Sequence, residues 1–253
     1  MVQISAIIIT FNEEKNIENC LKTLLKVVDE IVVVDSFSTD LTKSICLKYD
    51  VKFIEHSFLG YIEQKNFALK QASNNYIVSL DGDEYLSDEL QMSIIELKNN
   101  WKFDGYYCNR LNNFCGQWIK YSNWYPKKKL RVFDKRKAKW SGLNPHDTIK
   151  YIHNKNKSGF LKGNILHKTY QTYSEFNLKT EHFSSIAAQA YFDAGKKSTM
   201  SKIFFRPLWA FFRSYFLKLG FLDGLNGWVI CIQTYYITFL KYTKLYELQK
   251  KNN

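Results

Sequence analysis

The run Asp81-Gly82-Asp83-Glu84 has the residue types and spacing in this chain that point most directly to chemistry. Two carboxylates at i and i+2, just past a predicted buried strand, can offer oxygens to one hard cation. Mg2+ or Mn2+ takes one or two carboxylates and completes its shell with phosphate oxygens and water. Such a metal neutralises a diphosphate leaving group, a Lewis-acid role. A solvated acidic turn is the alternative reading of the same run. Asp35 follows the β-branched stretch Ile31–Val34. A carboxylate there can accept a hydrogen bond from a nucleobase N–H or a ribose hydroxyl, as acidic residues do after the second strand of dinucleotide folds. Capping of the next helix competes for Asp35, with Ser36, Ser38 and Asp40 suited to the same task. Arg131 can meet a phosphate or an acceptor anion, or close a salt bridge on a strand face. His167, followed by Lys168, reads as structural. Neither GxGxxG nor GxxxxGK[ST] occurs, which excludes a dinucleotide fingerprint and a phosphate-cradling Walker loop.

The elements that must position these groups follow from hydrophobic periodicity. Ser5–Thr10, Ile31–Val34, Val51–Ile54 and Tyr76–Leu80 are short, apolar and β-branched, the pattern of buried parallel strands. Between them, Ile17, Cys20, Leu21, Leu24, Leu25 and Val28 recur at helical spacing, with Asn12 as the expected N-cap. Leu41, Ile45 and Tyr49 mark one face of a short helix, and residues 61–72 form another. Ser87 caps a helix running to about Leu97. Strands alternating with helices imply an α/β fold, a mostly parallel sheet with helices on both faces. Ligands in such sheets bind beyond the carboxyl ends of the strands. Thr10 to Glu13, Asp35, and Asp81 with Asp83 all stand at those ends. After residue 100, Tyr106–Arg110 and Leu130–Phe133 read as strands and residues 174–194 as a helix.

Composition limits the function classes. Residues 1–100 carry 9 Lys and no Arg against 16 Asp and Glu, whereas residues 101–253 carry 27 basic and 8 acidic side chains. The front is therefore acidic, and the net charge of +12 resides entirely in the back. Such a back half suits an anionic partner: a membrane surface, a phosphorylated substrate or nucleic acid. An acidic front organised around carboxylates argues against nucleic acid. Between Lys202 and Lys218, Phe204, Phe205, Trp209, Phe211, Phe212, Tyr215 and Phe216 are interleaved with Arg206 and Arg213, the composition of a helix lying in an anionic lipid interface. Packing of an ordinary amphipathic helix on the catalytic domain is the other reading. The longest apolar run, Trp228–Leu240, is too short and too interrupted for a span. Five cysteines without a CxxC pair indicate reduced thiols, and the N-terminus enters a strand with no basic lead, so a cytoplasmic protein without a signal peptide is expected.

Four blocks in order carry a family resemblance: Ile7-Ile8-Ile9-Thr10-Phe11-Asn12-Glu13-Glu14, then Asp29-Glu30-Ile31-Val32-Val33-Val34-Asp35-Ser36 with Ser38-Thr39-Asp40, then Gln64-Lys65-Asn66-Phe67-Ala68, then Leu80-Asp81-Gly82-Asp83-Glu84. Their order and spacing resemble family-2 glycosyltransferases of the GT-A (Rossmann-like) fold. Tyr125-Pro126, Leu130-Arg131-Val132-Phe133, Pro145-His146-Asp147, Gly220-Phe221-Leu222-Asp223-Gly224 and Leu240–Glu247 resemble the bacterial lipopolysaccharide-core subgroup, which adds a hexose such as glucose to the inner core. The resemblance implies a catalytic domain over 1–170, with a donor half at 1–100 and an acceptor half at 101–170, followed by a helical, membrane-proximal extension over 171–253. It also implies a nucleotide-sugar donor, most simply a UDP-sugar, held by Thr10, Asn12, Glu13, Asp35, Lys65, Asn66 and Asp81, with Asp81 and Asp83 on a divalent metal. Asp147 falls in the region of the family's catalytic base, one methylene shorter than the subgroup's usual Glu. Gly82 replaces a commoner alanine, a change expected to matter little. Inversion at the anomeric carbon follows from the family pattern. The implied acceptor is a glycolipid or saccharide at the cytoplasmic face of the inner membrane. Transfer to a polyprenyl phosphate shares the donor site and is the competing reading.

Overall fold

The computed structural model describes residues 1–143, 146–153 and 156–251. Two compact units are present, one of Met1–Arg110 with Lys127–Lys168 and one of Leu111–Pro126 with Thr169–Asn253. The second unit thus takes in the segment 111–126 besides the expected C-terminal extension.

The first unit begins with β1 (Ile4–Thr10), α1 (Ile17–Leu24), β2 (Glu30–Asp35), α2 (Thr42–Cys46), β3 (Lys52–Glu55), α3 (Tyr61–Gln71), β4 (Tyr76–Asp81), β5 (Glu84–Leu86) and α4 (Asp88–Asn99). In chain order β6 (Gly105–Phe114), β7 (Gln117–Ile119, within the second unit), β8 (Lys128–Asp134), β9 (Ala138–Leu143), β10 (His146–Tyr151) and β11 (Ser158–Tyr170) follow. The main sheet has the order β3-β2-β1-β4-β8-β6-β11-β5, with β7 on the end of β6 and β10 paired to β9 in a separate hairpin. β1, β2, β3 and β4 run parallel, with Ile8 opposite Val33 on one side and Leu80 on the other. Beyond β4 the pairing is antiparallel, starting with Val78 opposite Val132.

β1 is central because both of its faces are covered. Ile4, Ala6 and Ile8 pack with Ile17, Cys20, Leu21 and Leu24 of α1 and with Leu90 and Ile94 of α4. Ile7 packs with Ala68, Leu69, Phe133 and Trp140 on the other face. Complete burial of each such side chain contributes ~1.5–3 kcal/mol, enough to make the strand assignments robust to local propensity. Ser87 caps α4 as expected: its Oγ accepts the Leu90 N–H at 3.3 Å, and the Asn164 N–H at 2.9 Å.

Two expectations do not hold. Asn12 is not the N-cap of α1, which starts at Ile17 with Asn16 before it. Asn12 has φ +54, and its Oδ1 instead accepts the Thr39 N–H at 2.8 Å. Its side chain ties two strand-end loops together rather than the helix to its entry. The fully buried residues of α2 are Thr42 and Cys46; Ile45 and Tyr49 pack half-buried against the core as expected, whereas Leu41 is exposed. Asp40 accepts the Thr42 N–H at 2.9 Å and the Glu14 N–H at 3.0 Å.

In the second unit, α5 (Tyr173–Asp193), α6 (Met200–Phe212) and α7 (Gly224–Lys251) are joined by a π-turn at Arg213–Leu217 and a 3-10 turn at Gly220–Asp223. Phe114, Ile119, Phe176 and Ile230 form its core. The Gly220–Gly224 motif is structural. A Cβ on Gly227 would meet the Gly220 carbonyl oxygen at 2.0 Å, and the Asp223 carboxylate accepts the Lys120 and Tyr121 N–H groups at 3.1 and 2.9 Å.

Candidate active site

The carboxyl end of β4 delivers Asp81 to a cleft of about 410 Å³ in the first unit. Lys65, on α3, enters from beneath. Its Nζ lies 2.8 Å from Asp81 Oδ1 and 2.7 Å from Asp147 Oδ2. The same ammonium stands 4.2 Å from the centroid of the Trp140 ring, and the Arg131 guanidinium lies 5.1 Å from it. Asn66 holds that ring in place. Its amide donates to the Trp140 carbonyl at 2.9 Å and accepts the Trp140 N–H at 3.2 Å. One helix turn therefore fixes both the cation that bridges the two carboxylates and the indole beneath it.

Behind Asp81 lies Glu84, fully buried. Glu84 Oε1 accepts from Arg131 Nη2 and Arg110 Nη1, both at 3.2 Å, while Oε2 accepts the Asp81 N–H at 3.1 Å. Arg131 Nη2 also reaches Asp81 Oδ2 at 3.2 Å. Burial alone would raise the Asp81 carboxyl, but Lys65 and Arg131, then Arg110, overrule it and hold the group far below the usual carboxylate range. Burial would lower Arg131. Glu84, Asp81 and Asp147 reverse that and raise it. Arg131 Nε and Nη1 are buried without a hydrogen-bond partner among the described residues, as is Thr10 Oγ1.

Asp83 points elsewhere. Its Oδ2 lies 2.9 Å from His167 Nε2, and the pairing of β5 with β11 sets His167 opposite Glu84. A carboxylate and an imidazole at this spacing fit a divalent cation that takes few protein ligands and fills its shell from phosphate and water. Among the described residues, no group of three or more His, Cys, Asp or Glu side chains gathers as a closed metal cage. Of the expected pair, Asp83 has a ligand-type neighbour, whereas both Asp81 oxygens face cations.

The remaining expected residues cluster at the ends of β1 and β2. Asp35, buried, accepts from the Ser38 N–H at 2.7 Å and the Ser38 hydroxyl at 2.5 Å. The Glu13 N–H donates to Thr42 Oγ1, and Glu13 Oε2 accepts from Asn16. Gly82 packs against this loop: a Cβ there would sit 2.9 Å from Thr10 Oγ1 and 3.2 Å from Glu13 Cγ. An alanine methyl here would need the Thr10 side chain to give way. Pro145 lies outside the described residues, as does the His146 side chain. Sequence reasoning treated His167 as structural and gave no role to Glu84, Trp140 or the run Lys127-Lys128-Lys129 that walls the cleft. That triple lysine was the one visible signal.

The glycosyl transferase family 2 profile matches residues 5–155. The chain belongs to glycosyl transferase family 2. Among curated relatives of this family-2 enzyme, an uncharacterised glycosyltransferase of Rickettsia typhi is 30% identical over 264 residues, covering 100% of this chain and 89% of its own. The lipopolysaccharide core biosynthesis glycosyltransferase LpsC of Rhizobium meliloti is 28% identical, covering 96% of this chain and 92% of its own. Solved structures share the fold. A mannosyltransferase of Pyrobaculum calidifontis in complex with GDP-Man and Mn2+ superposes with a TM-score of 0.54 at 14% identity, over 99% of this chain and 87% of that one. Staphylococcus aureus TarS 1-349 in complex with UDP gives 0.51 at 16% identity, over 99% and 92%. The mixed sheet flanked by helices is the GT-A fold, and a helical C-terminal region follows it.

Proposed function

We propose that this family-2 enzyme is an inverting hexosyltransferase that takes its sugar from a nucleoside diphosphate donor, UDP-linked, and passes it to a lipopolysaccharide inner-core or related glycolipid acceptor. The observation that carries this reading is the Lys65 bridge, which brings Asp81 at the donor side and Asp147 at the acceptor side into one cleft. The similarity to LpsC supports the acceptor class, and the UDP complex of TarS supports the donor. Thr10, Asn12, Glu13 and Asp35 hold the nucleoside. Asp83 and His167, with Asp81, would hold Mg2+ or Mn2+, and a bound cation would offset charge on the departing diphosphate. Asp147 Oδ2 keeps Lys65, and Oδ1 has no partner among the described residues, so Oδ1 takes the proton of the acceptor hydroxyl. The acceptor oxygen bonds to the anomeric carbon as the carbon–oxygen bond to the diphosphate breaks, and the leaving group departs with the electron pair on the opposite face. A positioned base contributes ~10²–10⁴-fold. The test is a donor and acceptor screen with product analysis. Transfer to lipopolysaccharide precursor supports the reading, and transfer to polyprenyl phosphate alone replaces it with the competing one.

The second unit carries a surface suited to a membrane. Among the described residues no single helix is long and apolar enough to cross a membrane, although the pair Met200–Leu217 and Gly220–Lys251, bent by 71°, passes together by length and composition. On α6 the buried side chains are Ile203 and Pro207, while Phe204, Phe205, Leu208, Trp209 and Phe212 are exposed. A helix whose bulkier apolar face looks outward, with Lys202, Arg206, Arg213 and Lys218 among it, suits an anionic lipid interface. Peripheral docking on the cytoplasmic face of the inner membrane would bring the enzyme to a lipid-borne acceptor.

A further inference from the structure

One wall of the cleft carries more positive charge than the site described so far uses. Arg110, at the end of the β6 segment in the first unit, Lys127, just before β8, and Lys129, within it, all line it. The Arg110 N–H donates to the Lys127 carbonyl at 2.9 Å, and Cys108 pairs with Lys129, so the three cations stand on adjoining strand edges. Like charges set opposite one another on neighbouring strands destabilise a sheet. Among the described residues Glu84 is the only carboxylate paired with Arg110, and Arg131 shares it. Lys127 and Lys129 have no carboxylate partner among the described residues, and Arg110 Nε is buried with no hydrogen-bond partner among them. Desolvation at the cleft wall and Arg110 lower the Lys127 ammonium, although the side chain as a whole stays exposed. Burial, then Arg110, Arg131 and Lys127, push Lys129 down to about 8. The repulsion is thus built into the cleft.

Sheet order says which substrate can relieve it. Asp81 ends β4, with β1 and β2 on one side and β8 and β6 on the other. The residues read as holding the nucleoside all lie on the β1 and β2 side, and none of them lines this cleft. Asp147 does line it. An anion held by Arg110, Lys127 and Lys129 is therefore on the acceptor side of the reacting centre. Two lysines without a carboxylate partner among the described residues, beside an Arg110 that shares Glu84 with Arg131, suit a dianion better than a single negative charge, and a phosphate also offers three acceptor oxygens.

We propose that Arg110, Lys127 and Lys129 form a phosphate subsite for the acceptor, so that the saccharide accepting the sugar carries a phosphate group near the attacking hydroxyl. This inference rests on the glycosyltransferase reading of the cleft, and its test keeps the two apart. Wild type and the Lys127→Gln/Lys129→Gln double variant are titrated calorimetrically at low salt with glucose 6-phosphate, with glucose and acetate as controls. UDP with Mn2+ is titrated separately. Glucose 6-phosphate should bind the wild type saturably, at least tenfold more weakly the double variant, and equally well with UDP and Mn2+ present. UDP affinity should stay within twofold between the two proteins. Equal glucose 6-phosphate binding by both proteins, no saturable binding by the wild type, or glucose binding as tightly overturns the subsite. Competition by UDP also overturns it, assigning the cations to the donor diphosphate. Failure of UDP and every other nucleoside diphosphate to bind the wild type counts against the glycosyltransferase reading instead, in a titration that does not involve the phosphate probe.

Discussion

Replacing Lys65 with Met is the sharpest perturbation of this site. Methionine keeps the length and apolar stem of lysine but removes the charge that bridges Asp81 and Asp147 at 2.8 and 2.7 Å. Removing one partner of a fully buried ion pair costs ~3–5 kcal/mol. Here the cost is smaller. Asp81 is 28% exposed and keeps Arg131, whereas Asp147 loses its one ion-pair partner among the described residues. A net loss of about 2–3 kcal/mol follows, partly softened by the contact a methionine makes with Trp140. For a chain of this size that lowers the melting temperature by roughly 5–10 °C. A double-mutant cycle with Asp147→Asn isolates the bridge, because each single variant breaks it. Thermal and denaturant unfolding of the four proteins should give a coupling of ~1–3 kcal/mol. Turnover should fall in Lys65→Met even under conditions where the variant is fully folded. Additivity within about 0.5 kcal/mol would show that no bridge links the two carboxylates, and unchanged turnover would remove Lys65 from the reaction.

Asp83→Asn and His167→Ala should each weaken Mn2+ binding, measured by paramagnetic relaxation of water, by at least tenfold; unchanged binding in both would move the metal elsewhere. Asp147→Asn should lose most turnover while keeping donor affinity, since the base acts on the acceptor in the transition state; lost donor binding with turnover kept at saturation would place Asp147 in the donor site. Lys129→Gln should be more stable than wild type at pH 7. The native state holds the Lys129 ammonium at about 8 against an ordinary 10.5, so between these values the unfolded chain binds more protons and wild-type stability rises with pH. The variant's advantage, ~1 kcal/mol after allowing for partial exposure, should shrink across that window, and an advantage independent of pH would refute the assigned cause. Changing Arg206, Arg213 and Lys218 to Gln should reduce co-sedimentation with anionic vesicles by ~100-fold at about 1 kcal/mol per charge, and equal wild-type binding to neutral vesicles would refute the electrostatic part.

What the sequence determined by itself was the donor-side half of the fold. β1, β2 and β4 are largely buried, so each reads as an apolar run rich in β-branched residues, and the polar groups at their ends stand out against it. Asp81 and Asp83 could be found this way, but not what each one faces. That depends on partners far along the chain. Asp147 meets Lys65 across 82 positions, and His167 meets Asp83 across 84. β11, which carries His167, is interrupted by Gly159 and Gly163 and has no simple alternation, so no periodic signal announced it. Gly163 has φ +89, and a Cβ there would meet the Leu90 nitrogen at 2.3 Å, a constraint that exists only once α4 packs against the strand. The basic wall is a similar case. Lys127 and Lys129 were visible as charges in a row, but only the pairing of β6 with β8 set Arg110 beside them and turned a solvated run into concentrated charge in a cleft. Local pattern reports burial and direction. Which charges end up sharing a cleft is decided by strand order and register, and these come from packing of the whole sheet.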